Sequence, residues 1–98
     1  MQLLQNILLI TLHLLPAVGF TRPVEDGKRN YEQHCARCHG RDGTKGMFGA
    51  KNLQKSSLSD TAILLQIING KGIMPSFRKR LPADQLNAIS TYIKSFRK

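Results

Sequence analysis

The only two cysteines of this 98-residue chain lie three positions apart and are followed at once by a histidine, in Cys35-Ala36-Arg37-Cys38-His39. Two thiols about one helical turn apart can add to the two vinyl groups of a single porphyrin. The imidazole of the next residue can then bind the porphyrin iron from one side. The spacing therefore predicts one covalently attached haem (haem c), bound through Cys35 and Cys38, with His39 as an iron ligand.

Three other uses of the two cysteines agree less well with the sequence. A structural zinc site needs four ligands, but there is no second cysteine pair, and His34 and His39 are too close to the cysteines to complete a tetrahedron. A thioredoxin-like redox pair would follow a strand, and no strand is predicted before Cys35. A disulfide between residues three apart would be strained and would not enlarge a thin core.

An iron bound by His39 has a second open side, and a methionine in a glycine-rich loop is the predicted ligand there. Met74 lies in Asn69-Gly70-Lys71-Gly72-Ile73-Met74-Pro75. The glycines allow the backbone to pass close to a flat macrocycle, and Pro75 fixes the chain direction after the methionine. A neutral thioether favours ferrous iron, so a His/Met pair gives a higher potential than a His/His pair.

Two residues compete with this assignment or lie beside it. Met47 is the rival ligand, although it lies in a polar loop only eight residues after His39. A Met74 that only fills the core is the other interpretation. His34 directly precedes Cys35 and is expected to be a surface residue that points away from the iron.

Two segments of the chain begin with residues that are typical of helix starts. The first helix is predicted over residues 27–35, with Asp26 as its N-cap. The segment Ser57-Leu58-Ser59-Asp60 resembles a capping box and predicts a second helix that continues to residue 68. Asn69-Gly70 is the predicted stop of that helix.

A third helix and two loops complete the predicted organisation. This helix begins near Pro82 and carries one apolar stripe, formed by Leu86, Ile89, Tyr92, Ile93 and Phe96. Residues 40–56 and 70–80 are predicted to be long loops because they are rich in glycine and polar residues. Three helices and two long loops need a further body between them against which they can pack.

The first 19 residues have the composition of a leader. They include no Lys, Arg, Asp or Glu, and twelve of them are apolar. Their uninterrupted apolar core is short, which favours a secretory signal peptide over a stable membrane span. Small residues at Ala17 and Gly19 predict cleavage after Gly19, with residues 20–26 as a linker and residues 27–98 as the folded domain. An uncleaved membrane anchor is the competing interpretation, because no Lys or Arg precedes the apolar run.

The positive charge belongs to the segment after the leader. All 15 basic and all 6 acidic residues follow residue 19, and the net charge is +9. This charge density predicts an acidic partner, and nucleic acid is not expected as the partner of an exported protein. The run Arg78-Lys79-Arg80 is the predicted docking element, the alternative being a solvated loop. The length excludes a multidomain protein and a large enzyme with a roomy substrate cleft.

From residue 26 onward the chain resembles the monohaem class I c-type cytochromes. The resemblance rests on Gly27, Tyr31, Cys35-Ala36-Arg37-Cys38-His39-Gly40, Asn52-Leu53, Asn69-Gly70-Lys71-Gly72-Ile73-Met74-Pro75 and Tyr92-Ile93. It implies an all-α, small cytochrome c fold, with three main helices and long loops wrapped around one covalently attached haem. It also implies that Gly27, a small residue on the first helix, lets the last helix cross close by, against Ile89 and Tyr92.

Two positions depart from the pattern of that family without touching a ligand. The family commonly has a proline before the Asn-Leu pair, and the carbonyl of that proline accepts the imidazole N–H of the iron-binding histidine. This sequence has Lys51 there, whose backbone carbonyl remains available to His39 without the rigidity of proline. Leu81-Pro82 stands where the family often has a Ser or Thr helix cap.

A resemblance to these cytochromes implies an electron carrier rather than an enzyme. With both axial positions filled by His39 and Met74, the iron is expected to cycle between ferric and ferrous states. The expected partners are redox proteins with acidic docking surfaces, and the expected form is an exported, periplasmic monomer. An uncleaved leader would instead give a membrane-tethered cytochrome that serves one respiratory complex. If Met74 binds weakly, a haem enzyme or sensor that binds a small ligand at an open iron is the remaining alternative.

Overall fold

Helices form the regular structure of this protein, whose computed structural model describes residues 23–98. This part of the chain has four α-helices, α1 (Pro23–His34), α2 (Ala36–His39), α3 (Asp60–Asn69) and α4 (Ala83–Lys94), and short 3₁₀ helices span Met47–Gly49 and Leu53–Lys55. Within residues 23–98 there is no β-strand, and one isolated bridge joins Lys71 and Met74. The predicted all-α class, with three main helices and long loops, is confirmed. The predicted signal peptide lies outside the described residues.

The first helix begins earlier than the sequence predicts. It starts at Pro23, so residues 23–26 belong to α1, and the prediction of a linker through residue 26 is wrong for them. Proline is favoured in the first turn of a helix because its missing N–H would be unpaired there in any case. Asp26 is therefore inside the helix rather than at its N-cap. Its carboxylate is buried and accepts a hydrogen bond from Nε2 of Gln85 on α4, at 3.2 Å.

A close crossing of α1 and α4 depends on a glycine. A Cβ atom added at Gly27 would overlap the carbonyl oxygen of Ala88 and lie 3.1 Å from Cβ of Tyr92. A small residue is thus required where the resemblance implies one. The nearest part of α4 is the backbone of Ala88, together with Tyr92.

The ends of α3 and the start of α4 follow local signals in the sequence. The hydroxyl of Ser59 accepts a hydrogen bond from the backbone N–H of Ala62 at 3.1 Å, and Gly70 ends the helix with a φ of 69°. Helix α4 begins directly after Pro82, which provides no side-chain cap. Both predicted helices are therefore confirmed, and their buried side chains meet Tyr31 of α1 in one core, formed by Tyr31, Cys35, Ile63, Ile67, Phe77, Leu86, Ile89 and Ile93.

None of the helices in residues 23–98 is long and apolar enough to cross a membrane.

Candidate haem-binding site

An open cavity of about 860 Å³ lies between the core and the two long loops. Cys35, Cys38, His39 and Met74, which the sequence predicts as the haem-binding residues, all line it. Its apolar wall includes the core residues Ile63, Ile67, Phe77 and Ile93. The volume lies within the range of about 300–1,000 Å³ that is usual for cofactor sites in proteins. A smaller cavity of about 330 Å³ between Val24 and Thr91 contains none of the predicted residues.

The two thiols lie at the junction of α1 and α2. The backbone N–H of Cys35 donates to the carbonyl of Tyr31 at 2.8 Å, and the N–H of His39 donates to the carbonyl of Cys35 at 3.0 Å. The segment that carries the motif is therefore wound helically, as the attachment of two thiols to one porphyrin requires. Burial, with a smaller contribution from the Cys38 thiol, raises the pKa of the Cys35 thiol to about 12. Conversion to a thioether removes an ionisable group from this buried position.

The imidazole of His39 is oriented by a backbone carbonyl. Its Nδ1 lies 3.0 Å from the carbonyl oxygen of Lys51. Because a carbonyl can only accept, Nδ1 carries the proton, and Nε2 is left with its lone pair free for iron. The bond expected from the resemblance is thus present although lysine replaces proline.

A short network holds the Lys51 carbonyl in place. The side-chain oxygen of Asn52 accepts from the backbone N–H of Gln54 at 3.0 Å and so caps the 3₁₀ helix Leu53–Lys55. The N–H of Leu53 donates to the carbonyl of Gly43 at 2.9 Å. These two bonds fix the chain directly after Lys51, the position at which the family commonly has proline.

Sequence reasoning missed the structural role of Tyr31. Its side chain is fully buried, and its hydroxyl donates to the carbonyl oxygen of Gly40 at 2.5 Å, directly after His39. Burial, followed by the nearby Cys35 thiol, raises the pKa of Tyr31 above its ordinary range. The spacing of four residues between Tyr31 and Cys35 indicates a shared helix face. It does not indicate that the Tyr31 hydroxyl would bond to Gly40, the residue that follows α2.

A closed turn carries Met74. The backbones of Lys71 and Met74 exchange two N–H···O bonds, each of 3.0 Å. A Cβ atom at Gly70 would lie 2.7 Å or less from backbone atoms of Met74, Pro75 and Ser76. The sequence analysis predicts that the glycines of this loop let the backbone pass close to a flat macrocycle. For Gly70 the close neighbour is the loop itself.

Met47 also lines the cavity, so proximity alone does not separate the two methionines. Met47 begins a 3₁₀ turn just after Lys45, whose N–H donates to the carbonyl of His39 at 2.9 Å. This bond ties the Met47 loop to the backbone of His39. His34 is exposed at the rim of the cavity, and its ring meets the Phe77 ring edge-on at 5.7 Å. The expectation that His34 is a surface residue is confirmed, but His34 also lines the cavity, so the structure does not place it away from the predicted haem site.

The donor set and the charges of this cavity fit a haem. Two thiols, the imidazoles of His34 and His39 and the thioethers of Met47 and Met74 line a mostly apolar space, and an iron porphyrin uses groups of each kind. Three lysines, Lys51, Lys55 and Lys71, line the same space, and no Asp or Glu residue is among its lining residues. This charge distribution suits the two carboxylates of a haem.

A small helical domain that combines a Cys-x-x-Cys-His motif with such a cavity is a c-type cytochrome. Comparison with known proteins agrees with this class. A family model described as "Cytochrome C oxidase, cbb3-type, subunit III" matches residues 22–93. The chain belongs to this family of cytochromes, as a small monohaem member with one covalently attached haem c.

Several relatives named cytochrome c6 are similar over most of their length. The protein of Leptolyngbya boryana is 40% identical over 73 residues, which cover 68% of this chain and 85% of the relative. That of Cladophora glomerata is 34% identical over 76 residues, covering 69% and 82%. That of Synechococcus sp. is 33% identical over 103 residues, covering 95% and 91%. The protein is accordingly an electron carrier that serves redox partners, and it is not an enzyme.

Proposed function

We propose that the protein carries single electrons between two redox proteins with a haem iron held by His39 and Met74. The observation that supports this proposal is the convergence of Cys35, Cys38, His39 and Met74 on one cavity. When bound, the haem supplies an iron that can accept and return one electron. The two cysteines fix its position, and two protein ligands leave no open coordination site for a substrate.

The hydrogen bonds that anchor the two methionine loops support Met74 over Met47 as the second ligand. The Met47 loop is tied to the His39 backbone, because the N–H of Lys45 donates to the carbonyl of His39 at 2.9 Å. The Met74 turn is instead anchored to α3, because the N–H of Phe77 donates to the carbonyl of Ile67 at 3.2 Å. The two ligands then approach from different elements, α2 and the loop after α3.

Replacement of each methionine by alanine tests this assignment. The ferric protein should show a weak sulfur-to-iron band in the far red, and Met74→Ala should abolish it. The same change should lower the midpoint potential by on the order of 0.1 V and let ferrous iron bind carbon monoxide, because thioether donation favours ferrous iron. Met47→Ala is the matched control and should leave all three properties unchanged. Loss of the band in Met47→Ala alone would contradict the assignment.

We also propose that the domain acts outside the cytoplasm, after a signal peptidase has cleaved the chain between Gly19 and Phe20. The uncharged, apolar composition of residues 1–19 supports this proposal. The intact mass of the exported chain measures it directly. A chain that retains residue 1 would instead support a cytochrome tethered to the membrane.

The partners are proposed to present acidic docking surfaces, because the carrier has a net charge of +9. Arg78, Lys79 and Arg80 are all exposed, as a role in association with such partners requires.

A further inference from the structure

The loop that carries Met74 returns to the end of α3, where it supplies hydrogen bonds that the helix lacks. The last carbonyl groups of a helix have no partner within the helix and need one from elsewhere. At the end of α3 the hydroxyl of Ser76 donates to the carbonyl of Ile68 at 2.5 Å, beside the bond from the N–H of Phe77 described above. Residues 70–75 therefore form a loop that is held to α3 at both ends.

A further bond at the same place joins two side chains. The Arg78 guanidinium donates to the side-chain oxygen of Asn69 at 2.6 Å, and Asn69 is the last residue of α3. The backbone N–H of Arg78 also donates to the hydroxyl of Ser76 at 3.4 Å. A hydrogen bond with an ionised donor is roughly twice as strong as one between neutral groups. The Arg78–Asn69 bond is therefore the strongest of the side-chain bonds that hold the returning chain on α3.

The Arg78–Asn69 bond lies outside the haem cavity. Within residues 23–98 the lining of the cavity includes Met74 and Pro75 but neither Arg78 nor Asn69. A substitution in this pair therefore leaves the cavity wall intact and changes how firmly the loop is held. A Met74 that binds iron can leave it when residues 70–78 separate from the end of α3, and the Arg78–Asn69 bond opposes that separation.

We propose that Arg78, acting through Asn69, is a positioning residue for Met74, and that their bond limits how readily an external ligand replaces Met74 on the iron. This inference rests on the ligation by Met74 proposed above. An external ligand reaches the iron only while the loop is open, so its apparent affinity is its intrinsic affinity multiplied by the open fraction. Loss of the Arg78–Asn69 bond raises this fraction. The open fraction stays small, so the absorption spectrum without an added ligand does not change.

Imidazole is the probe, titrated into the ferric holoprotein while the far-red sulfur-to-iron band is followed. Arg78→Ala should bind imidazole about fivefold more tightly than the wild type, because an exposed, charged hydrogen bond makes a modest contribution to loop closure. Lys79→Ala is the matched control. It removes the same charge from the next exposed residue, leaves the Arg78–Asn69 bond in place and should bind like the wild type. Equal affinities in the two variants would overturn the proposal.

Substitutions of Asn69 test whether the two side chains act as a pair. Asn69→Ala should show the same increase as Arg78→Ala, and the double variant should bind no more tightly than either, because each change removes the same bond. Asn69→Asp keeps an acceptor oxygen and should restore the wild-type affinity. Asn87→Ala removes an exposed amide from α4 instead and should also bind like the wild type. Additive effects of the two single alanine substitutions would show that Arg78 and Asn69 act separately, which would overturn the proposal.

Amide hydrogen exchange of the ferric holoprotein measures loop opening without an added ligand. The N–H of Phe77 donates to the carbonyl of Ile67 on α3, so it is released when the returning chain separates from the helix. Arg78→Ala should speed exchange at Phe77 about fivefold relative to Lys79→Ala and leave exchange in α4 unchanged. Equal exchange at Phe77 in the two variants would overturn the proposal. Faster exchange in α4 as well would assign the effect to general loss of stability and would also overturn it.

Met74→Ala separates failure of this inference from failure of the proposed function. If Met74 is the ligand, this variant has no thioether to displace and should bind imidazole more tightly than either Arg78→Ala or Asn69→Ala. Wild-type affinity in Met74→Ala would overturn the ligation by Met74 and this inference with it. Tight binding by Met74→Ala, together with equal affinities in Arg78→Ala and Lys79→Ala, would overturn only the positioning role of Arg78.

Discussion

The imidazole of His39 is oriented by the Lys51 carbonyl, 3.0 Å from its Nδ1, although no proline fixes that carbonyl. The structure suggests what replaces the proline. The side chain of Asn52 caps the next turn through the N–H of Gln54 at 3.0 Å. A bond that holds the carbonyl on the imidazole also makes the imidazole a stronger donor to a metal. We therefore propose that Asn52 is a positioning residue that acts through Lys51 on His39, the proposed iron ligand.

Asn52→Ala should lower the free energy of unfolding by about 1 kcal/mol, because the cap is lost. It should also raise the midpoint potential, since a more weakly bonded imidazole donates less to iron and favours the ferrous state. Asn52→Asp retains an acceptor oxygen and should restore both properties toward the wild type. Urea unfolding and potentiometry of the holoprotein measure the two effects.

Ser56→Ala is the control for a purely structural effect. Ser56 accepts a similar local bond, from the N–H of Leu58 at 3.3 Å, but it lies five residues from Lys51 rather than next to it. This change should leave the potential unchanged. An unchanged potential in Asn52→Ala as well would show that the cap does not act through His39.

Among the secondary structure elements, those with local signals were predicted well from the sequence. The cap at Ser59 and the stop at Gly70 depend on residues within one turn, so composition and spacing suffice to place α3. The predicted start of α1, with Asp26 as its N-cap, was wrong. The side chain of Asp26 instead accepts a hydrogen bond from Gln85, which lies 59 positions away in the sequence. A contact of that kind depends on how two helices cross, which a single sequence does not reveal.

The same distinction applies to the site. Cys35, Cys38 and His39 follow from one pentapeptide, because their spacing alone carries the chemistry. Met47 and Met74 both reach the cavity, and which of them faces the iron depends on the path of two loops. Sequence spacing could rank the two methionines as candidate ligands, but it could not show where either side chain lies relative to the cavity.

Tyr31 joins three of the helical elements, and its ionisation should make stability depend on pH. It lies on α1, its hydroxyl donates to Gly40 after α2, and its ring lies 5.4 Å from that of Tyr92 on α4. Burial raises the pKa of Tyr31 in the folded protein. Below about pH 10 the phenol is neutral in both the folded and the unfolded chain. Above that pH the unfolded chain releases its proton first, so the free energy of unfolding falls as pH rises, by up to about 1.4 kcal/mol per pH unit.

Tyr31→Phe should remove this contribution to the pH dependence. At neutral pH the variant should be less stable by about 1 kcal/mol, because the bond to Gly40 is lost. Its disadvantage should shrink from about pH 10 upward, where only the wild type carries the phenol. Urea unfolding of both ferric holoproteins over a pH series measures the difference. Parallel stability curves across that range would show that Tyr31 ionises alike in the folded and unfolded chains.

At the scale of the whole molecule, positive charge is far in excess of negative charge. The chain has 15 Lys and Arg residues against 6 Asp and Glu residues. Two of the carboxylates are already engaged, since Asp60 pairs with Lys94 at 3.1 Å and Asp26 lies 3.8 Å from Arg29. Most cations therefore contribute to a long-range field that attracts an acidic partner before contact. The run Arg78-Lys79-Arg80 is exposed and adds three of these charges directly after Phe77, which lines the cavity.

Reversal of Arg78, Lys79 and Arg80 to Glu should mainly slow association with an acidic partner. The change removes three positive charges and adds three negative ones, which takes the net charge from +9 to +3. At low salt the association rate should fall by about tenfold, and the salt dependence should flatten. The reason is that the Debye length shrinks from about 30 Å at 0.01 M to about 10 Å at 0.1 M, so salt already screens what the reversal removes. The absorption spectrum should not change, because none of the three side chains lines the haem cavity.

A second triple reversal, of Lys28, Arg41 and Lys45, makes the same change in net charge at exposed residues that do not line the cavity. Stopped-flow electron transfer from a reduced plant-type [2Fe–2S] ferredoxin, chosen because it is acidic, compares the two variants across a salt series. Because steering depends on where charge lies as well as on how much there is, the reversal at 78–80 should slow association more than the reversal at 28, 41 and 45. Equal slowing would assign the effect to net charge alone. A rate that ignores both reversals and the salt concentration would show that the positive charge serves solubility and that partners are not steered by it.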